Sequence, residues 1–151
     1  MLKKHVFLSY CHDNYEIVSK LHNYLKKLGE QVWWDKNILP GQNLKEEITK
    51  AIIDSYAIIF CFSKELYSKD KSGVFPELRE AISIYREYPS STIYIIPVRL
   101  SECKIPYIEI DSTTRMDNLL YIDFYPETNQ LDTAKKIVNS LKKSPEHPLN
   151  N

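Results

Sequence analysis

At 151 residues, 43% of them hydrophobic, the chain is long enough to bury a substantial core and too short for two ordinary domains. Lys plus Arg and Asp plus Glu number 20 each, so no net field gathers nucleic acid or an anionic membrane, and neither is expected as a partner. Cys11, Cys61 and Cys103 are odd in number and far apart, and His5, His12, His22 and His147 lack metal-site spacing, which argues against a disulfide framework, a redox pair or a metal site.

In chain order, residues 4 to 9 read as a short buried strand, with Asp13 as the cap of the helix that follows. Ile17, Leu21, Tyr24, Leu25 and Leu28 fall at helical spacing opposite Lys20, Asn23, Lys26 and Lys27, and Gly29 stands where a C-terminal cap belongs. Gln31 to Trp34 reads as a second strand, and Leu44, Ile48, Ala51 and Ile52 mark a helix capped by Asn43. Tyr56 to Phe62 is apolar throughout, the pattern of a strand covered on both faces in the middle of a parallel sheet. A polar stretch with a helical turn runs from Ser63 to Ser72, and Pro76 opens a helix predicted to reach about Tyr88. Thr92 to Val98 and Leu119 to Phe124 are the fourth and fifth strands, with Pro97 near the end of its strand and residues 99 to 118 weakly patterned between them. Leu131, Ala134, Ile137, Val138 and Leu141 form a closing amphipathic helix. One domain over 1–144 is expected, with 145–151 a flexible, proline-containing tail.

Strands alternating with helices imply right-handed crossovers and an α/β flavodoxin-like three-layer fold, a five-stranded parallel sheet in the order 2-1-3-4-5 with helices on both faces. In such a fold ligands bind beyond the carboxyl ends of the strands where strand order reverses. Ser9, Tyr10 and Cys11, Ser63 and Lys64, and the loop from Asp35 to Asn43 are placed there. A phosphoacceptor site would need acidic residues closing the first and third strands, which end in Ser9-Tyr10 and Phe62-Ser63. Only Gly29, Gly41 and Gly73 are present, which excludes a glycine-rich dinucleotide turn and a Walker loop. One carboxylate remains at a helix start, Glu77 after Pro76. Its position alone is better explained by an ordinary acidic first turn stabilised by the helix dipole. No apolar run reaches the roughly 20 residues that span a bilayer, and no signal region is present, so a cytoplasmic chain is expected.

His5 to Tyr10 resembles the first-strand box of Toll/interleukin-1 receptor (TIR) domains. Trp34-Asp35 through Leu39-Pro40-Gly41 resembles their second-strand BB loop, and Ser63, Ser72 and Glu77-Leu78 match further family positions. The order and spacing of the boxes carry the resemblance from about His5 to Leu141, and it extends to a bacterial-type TIR protein.

What the resemblance implies is twofold. Many TIR domains are noncatalytic scaffolds that signal by self-association, and many others cleave NAD⁺ at the nicotinamide–ribose bond with one glutamate, here Glu77. On the enzymatic reading NAD⁺ is a substrate and no cofactor is needed. Phe7, Ser9, Tyr10, Trp34, Asp35, Gly41, Ser72 and Phe75 then surround the substrate, although side chains such as Phe7 and Trp34 are more often core than ligand contacts, with core the favoured reading for Trp34, and Gly41 reads also as a turn residue. The pattern departs at Gly73, where NAD⁺-cleaving bacterial relatives often carry an aromatic four residues before the glutamate, and Phe75 is the nearest replacement. Self-association through the loop Asp35 to Asn43, a separate sensor or effector protein, and a role in microbial immune signalling complete the expectation.

Overall fold

A computed structural model describes residues 3–69, 76–89 and 92–150, with only the backbone of Pro76 and Glu77. Five strands, β1 (His5–Ser9), β2 (Val32–Trp33), β3 (Ser55–Phe62), β4 (Ile95–Arg99) and β5 (Ile122–Asp123), make one parallel sheet in the order β2-β1-β3-β4-β5. Helices α1 (Tyr15–Lys27), α2 (Leu44–Ile53), α3 (Lys64–Lys69), α4 (Pro76–Tyr85) and α5 (Gln130–Lys142) surround it. The expected flavodoxin-like architecture is the one observed.

Strand alternation divides the core in two. Val6, Leu8, Ala57, Ile59 and Cys61 pack under α1 and α5, while Phe7, Ile58, Phe60 and Phe62 pack under α2 and α4. Every residue of β3 is buried, as its unbroken apolar run predicts, and each fully buried large side chain there contributes about 1.5–3 kcal/mol.

Helix α1 ends in a Schellman motif. Gly29, at φ +96°, lets the Glu30 amide donate to Leu25 O and its own amide donate to Lys26 O. The reversal turns Glu30 inward, where Tyr56 Oη–H donates to its carboxylate and His147 Nε2 lies 3.1 Å from Oε1.

Several elements differ from their sequence-based bounds. Asn14, not Asp13, precedes α1, and neither caps it by side chain. Asn14 Oδ1 instead accepts from the buried Ser63 hydroxyl at 2.6 Å, and Asp13 meets Lys69 at 3.1 Å. The flanking strands β2 and β5 are shorter than predicted, because each meets the sheet on one side over only two residue pairs. Helix α4 ends at Tyr85 rather than Tyr88. In α5 Ala134, Ile137, Val138 and Leu141 are buried as predicted, but Leu131 is 44% exposed, and Gln130 and Thr133 are buried in the first turn in its place.

Pro97 lies inside β4, paired with Phe60, rather than at its end. The Tyr94 carbonyl accepts from the Ile58 amide and the Leu100 amide donates to Phe62 O, so by alternation Pro97 faces the opposite flank, where β5 begins only at Val98; the missing donor deprives no partner.

The segment after α5 is not the frayed tail that its prolines suggest. Ser144 Oγ donates to Tyr56 O at 2.7 Å, Asn150 Nδ2 donates to Lys142 O and Ser144 O, and His147 is buried.

Candidate functional site

Strand order reverses between β1 and β3, since the chain leaves β1 for β2 on one side and returns across it to β3 on the other. Beyond the strand ends on the α2 side lies a cleft of about 310 Å³. Its floor is the pair Phe7 and Trp33, in register across β1 and β2 and stacked at 5.1 Å with 19° between ring planes. Leu44 and Ile48 of α2 make an apolar wall, and Leu8, Ser9, Tyr10, Cys11, His12, Asp35 and Lys69 provide the remainder of the lining.

The polar rim is organised around Asp35. Tyr10 Oη–H donates to Asp35 Oδ1 at 2.6 Å, and His12 Nε2 lies 3.3 Å from Oδ2. Burial, reinforced by the neighbouring carboxylate, holds the Tyr10 phenol well above its usual pKa, so it remains a donor at physiological pH. The Asp35 side chain keeps 27% of its surface in solvent, and the site can present fixed negative charge at the edge of an apolar floor.

The loop that follows is self-supporting. The Trp34 amide donates to Asn37 Oδ1 at 3.0 Å and the Leu39 amide to Gln42 Oε1 at 2.7 Å, while Gln42 N returns to Leu39 O at 3.1 Å. With Pro40 second and Gly41 third at φ +90°, this is a type II turn, which asks for a residue tolerant of positive φ at its third position. Asn43 caps α2 through the Glu46 amide at 3.0 Å, as expected.

Of the residues singled out from sequence, Phe7, Ser9, Tyr10, Cys11 and Asp35 line the cleft together. Trp34 does not. Alternation in β2 places Trp33 on the cleft side and sends Trp34 to the α1 side, where it stacks on His22 at 4.1 Å and on Tyr15 at 5.8 Å. Gly41 also lies outside the lining, and its role here is the turn. Ser63 is wholly buried and caps α3 through the Leu66 amide at 3.1 Å. Ser72, Gly73 and Phe75 lie outside the described residues, as does the side chain of Glu77, whose backbone is the second residue of α4. The sequence reading missed Trp33, His12, Leu44, Ile48 and Lys69. Pairing parity with Phe7 was the available signal for Trp33, and nothing local marked the others.

Comparison with known proteins places this geometry in context. A family described as "TIR domain" matches residues 6–138. No curated protein matches the chain by sequence. Among solved structures, the TIR domain of the Toll-related receptor TRR-2 from Hydra magnipapillata is 17% identical, with 92% of this chain and 99% of that one covered and a TM-score of 0.66. A metazoan TIR-STING receptor from C. gigas is 20% identical over 93% of this chain and 40% of its own length, with a TM-score of 0.67. A prokaryotic SEFIR domain is 20% identical over 93% and 94%, with a TM-score of 0.58. At these identities the likeness is one of fold.

Proposed function

Given that the chain belongs to the TIR domain family, we propose that it is an NAD⁺ nucleosidase, cleaving the nicotinamide–ribose bond with Glu77 as the catalytic carboxylate. The observation that carries this reading is the cleft at the sheet's switch point, with an aromatic floor and a carboxylate rim suited to a planar base joined to a hydroxylated sugar.

The chemistry asks little of the protein beyond placement and charge. As the C1′–N1 bond breaks, its electron pair stays on nitrogen and quenches the pyridinium charge, so nicotinamide leaves neutral and needs no acid. The ribose is left as an oxocarbenium-like cation. A carboxylate beside C1′ stabilises that cation most as it forms, which is the differential binding that lowers a barrier. Water then adds at C1′ and loses a proton, giving ADP-ribose; capture by a nucleophile of the same or another molecule gives a cyclic or transferred product. On this reading Asp35, whose carboxylate Tyr10 holds at the cleft, accepts from a ribose hydroxyl, and Ser9 adds a further polar group.

A second reading, a noncatalytic scaffold that docks on other TIR domains, is favoured by one observation. Leu39 at the Pro40-Gly41 turn and Leu44 at the start of α2 are 63% and 61% exposed, an apolar edge on the loop Asp35 to Asn43. The readings combine if self-association through this loop assembles the active form, with a separate sensor or effector protein in immune signalling as the trigger.

The test is concentrated protein incubated with NAD⁺ while nicotinamide release is followed, beside Glu77→Ala. Loss of about a hundredfold or more is expected from removing one such electrostatic group. Equal release from both proteins, or none from concentrated wild type, removes the enzymatic reading and leaves the scaffold.

A further inference from the structure

The cleft has an aromatic floor that the sequence pattern did not assign, and we propose that Trp33 is the platform on which the nicotinamide ring of NAD⁺ lies. The inference rests on the nucleosidase reading and adds to it the residue that holds the leaving group.

Trp33 is fixed in orientation by the sheet. It pairs in register with Phe7, its ring lies 5.1 Å from Phe7 and 6.3 Å from His5, and His5 is itself tied through Nε2 to Ala51 O at 2.8 Å. Yet the indole is only half-buried, and it lines the cleft. A rigid, partly exposed ring inside an apolar recess is suited to a flat partner, with Leu44 and Ile48 facing it across the opening. The carboxylate of Asp35 then stands at the rim, where a sugar attached to that flat partner would emerge.

The charge of the two heteroaromatic ends of NAD⁺ decides between them. The nicotinamide of the intact substrate is a pyridinium cation, for which an indole face is the strongest aromatic partner, whereas adenine is uncharged and gains no cation–π attraction. Size agrees, because about 310 Å³ lies at the low end for ligand cavities and favours one base with its ribose over a whole dinucleotide. Once the bond is cut, nicotinamide is neutral and that attraction is gone, so the platform holds substrate more tightly than product and favours release.

Two tryptophans in the chain make the test direct. In Trp34→Phe protein, Trp33 is the sole indole, and titration with nicotinamide mononucleotide should quench its fluorescence with saturation while adenosine monophosphate does not. In Trp33→Phe protein the remaining indole, Trp34, should show no saturable quenching. Trp33→Leu should raise KM for NAD⁺ roughly tenfold with a smaller change in kcat. Absence of saturable quenching in the Trp33-only protein, equal quenching of the two single-tryptophan proteins, or a preference for adenosine monophosphate overturns the platform. Quenching without any nicotinamide release from wild type keeps the platform and removes the catalytic reading. Release that depends on Glu77 without quenching does the reverse.

Discussion

At the carboxyl ends of the strands Tyr10 donates to Asp35, with His12 at 3.3 Å from the same carboxylate; at the amino ends Tyr56 donates to Glu30, with His147 at 3.1 Å. The same three groups thus occur twice, in opposite settings. Glu30 and His147 are 5% and 6% exposed, and both imidazole nitrogens are engaged, Nδ1 by the Leu149 amide at 3.2 Å and Nε2 by the carboxylate at 3.1 Å. Asp35 is open to solvent and His12 more so. Burial with saturated hydrogen bonding makes the first cluster a fastening; incomplete burial leaves the second able to exchange water for a ligand.

The largest expected effect breaks the buried cluster. Glu30→Ala strands the Tyr56 hydroxyl and the His147 imidazole inside the protein and should cost about 3 kcal/mol of stability, read as a shift in the urea midpoint. A loss under about 1 kcal/mol would mean that the cluster is solvated and the contrast false. Asp35→Asn should sharpen the contrast from the other side. Its amide oxygen still accepts from Tyr10, so stability should change by less than about 1 kcal/mol, while nicotinamide release falls through loss of rim charge. Unchanged release would show that Asp35 does not face substrate.

The smallest effect is read by titration. Burial, the largest cause in each case, lowers the pKa of His5 and His22 from 6.5, so between those lowered values and about 6.5 the unfolded chain binds more protons than the folded one. Stability should therefore rise with pH through that window and level off above it. A thermal-midpoint series should show a shallower acid slope for His5→Gln, and an unaltered slope would assign the effect elsewhere.

The difference between the two clusters also explains what was legible in the sequence. The buried run of β3, the Asn43 cap and Gly29 are local patterns with local causes, and each appears where its residues predict. Ser9, Tyr10 and Asp35 were legible because strand ends at a switch point define a cleft before any side chain is placed, whereas Phe7, in mid-strand, came only with the family resemblance. Trp33 and Trp34 were exchanged because adjacent strand residues face opposite ways, and the parity of a two-residue strand is set only by pairing with β1. The fastening of Glu30, Tyr56 and His147 had no local signature at all, since it joins a helix end, a strand start and the last turn of the chain. Ser63 reads from sequence as a strand-end site residue, and its burial against Asn14 is visible only in three dimensions.

Pro97 carries a consequence for behaviour at high concentration. An open sheet flank offers a ladder of unpaired amides on which a foreign strand can template itself, and β5 shields only the last two residues of β4. Just below that shield the flank carries a buried pyrrolidine ring instead of an amide, so a strand that came to pair there after local opening would find the ladder interrupted. A proline at this point works as a gatekeeper against fibril-like growth along that flank.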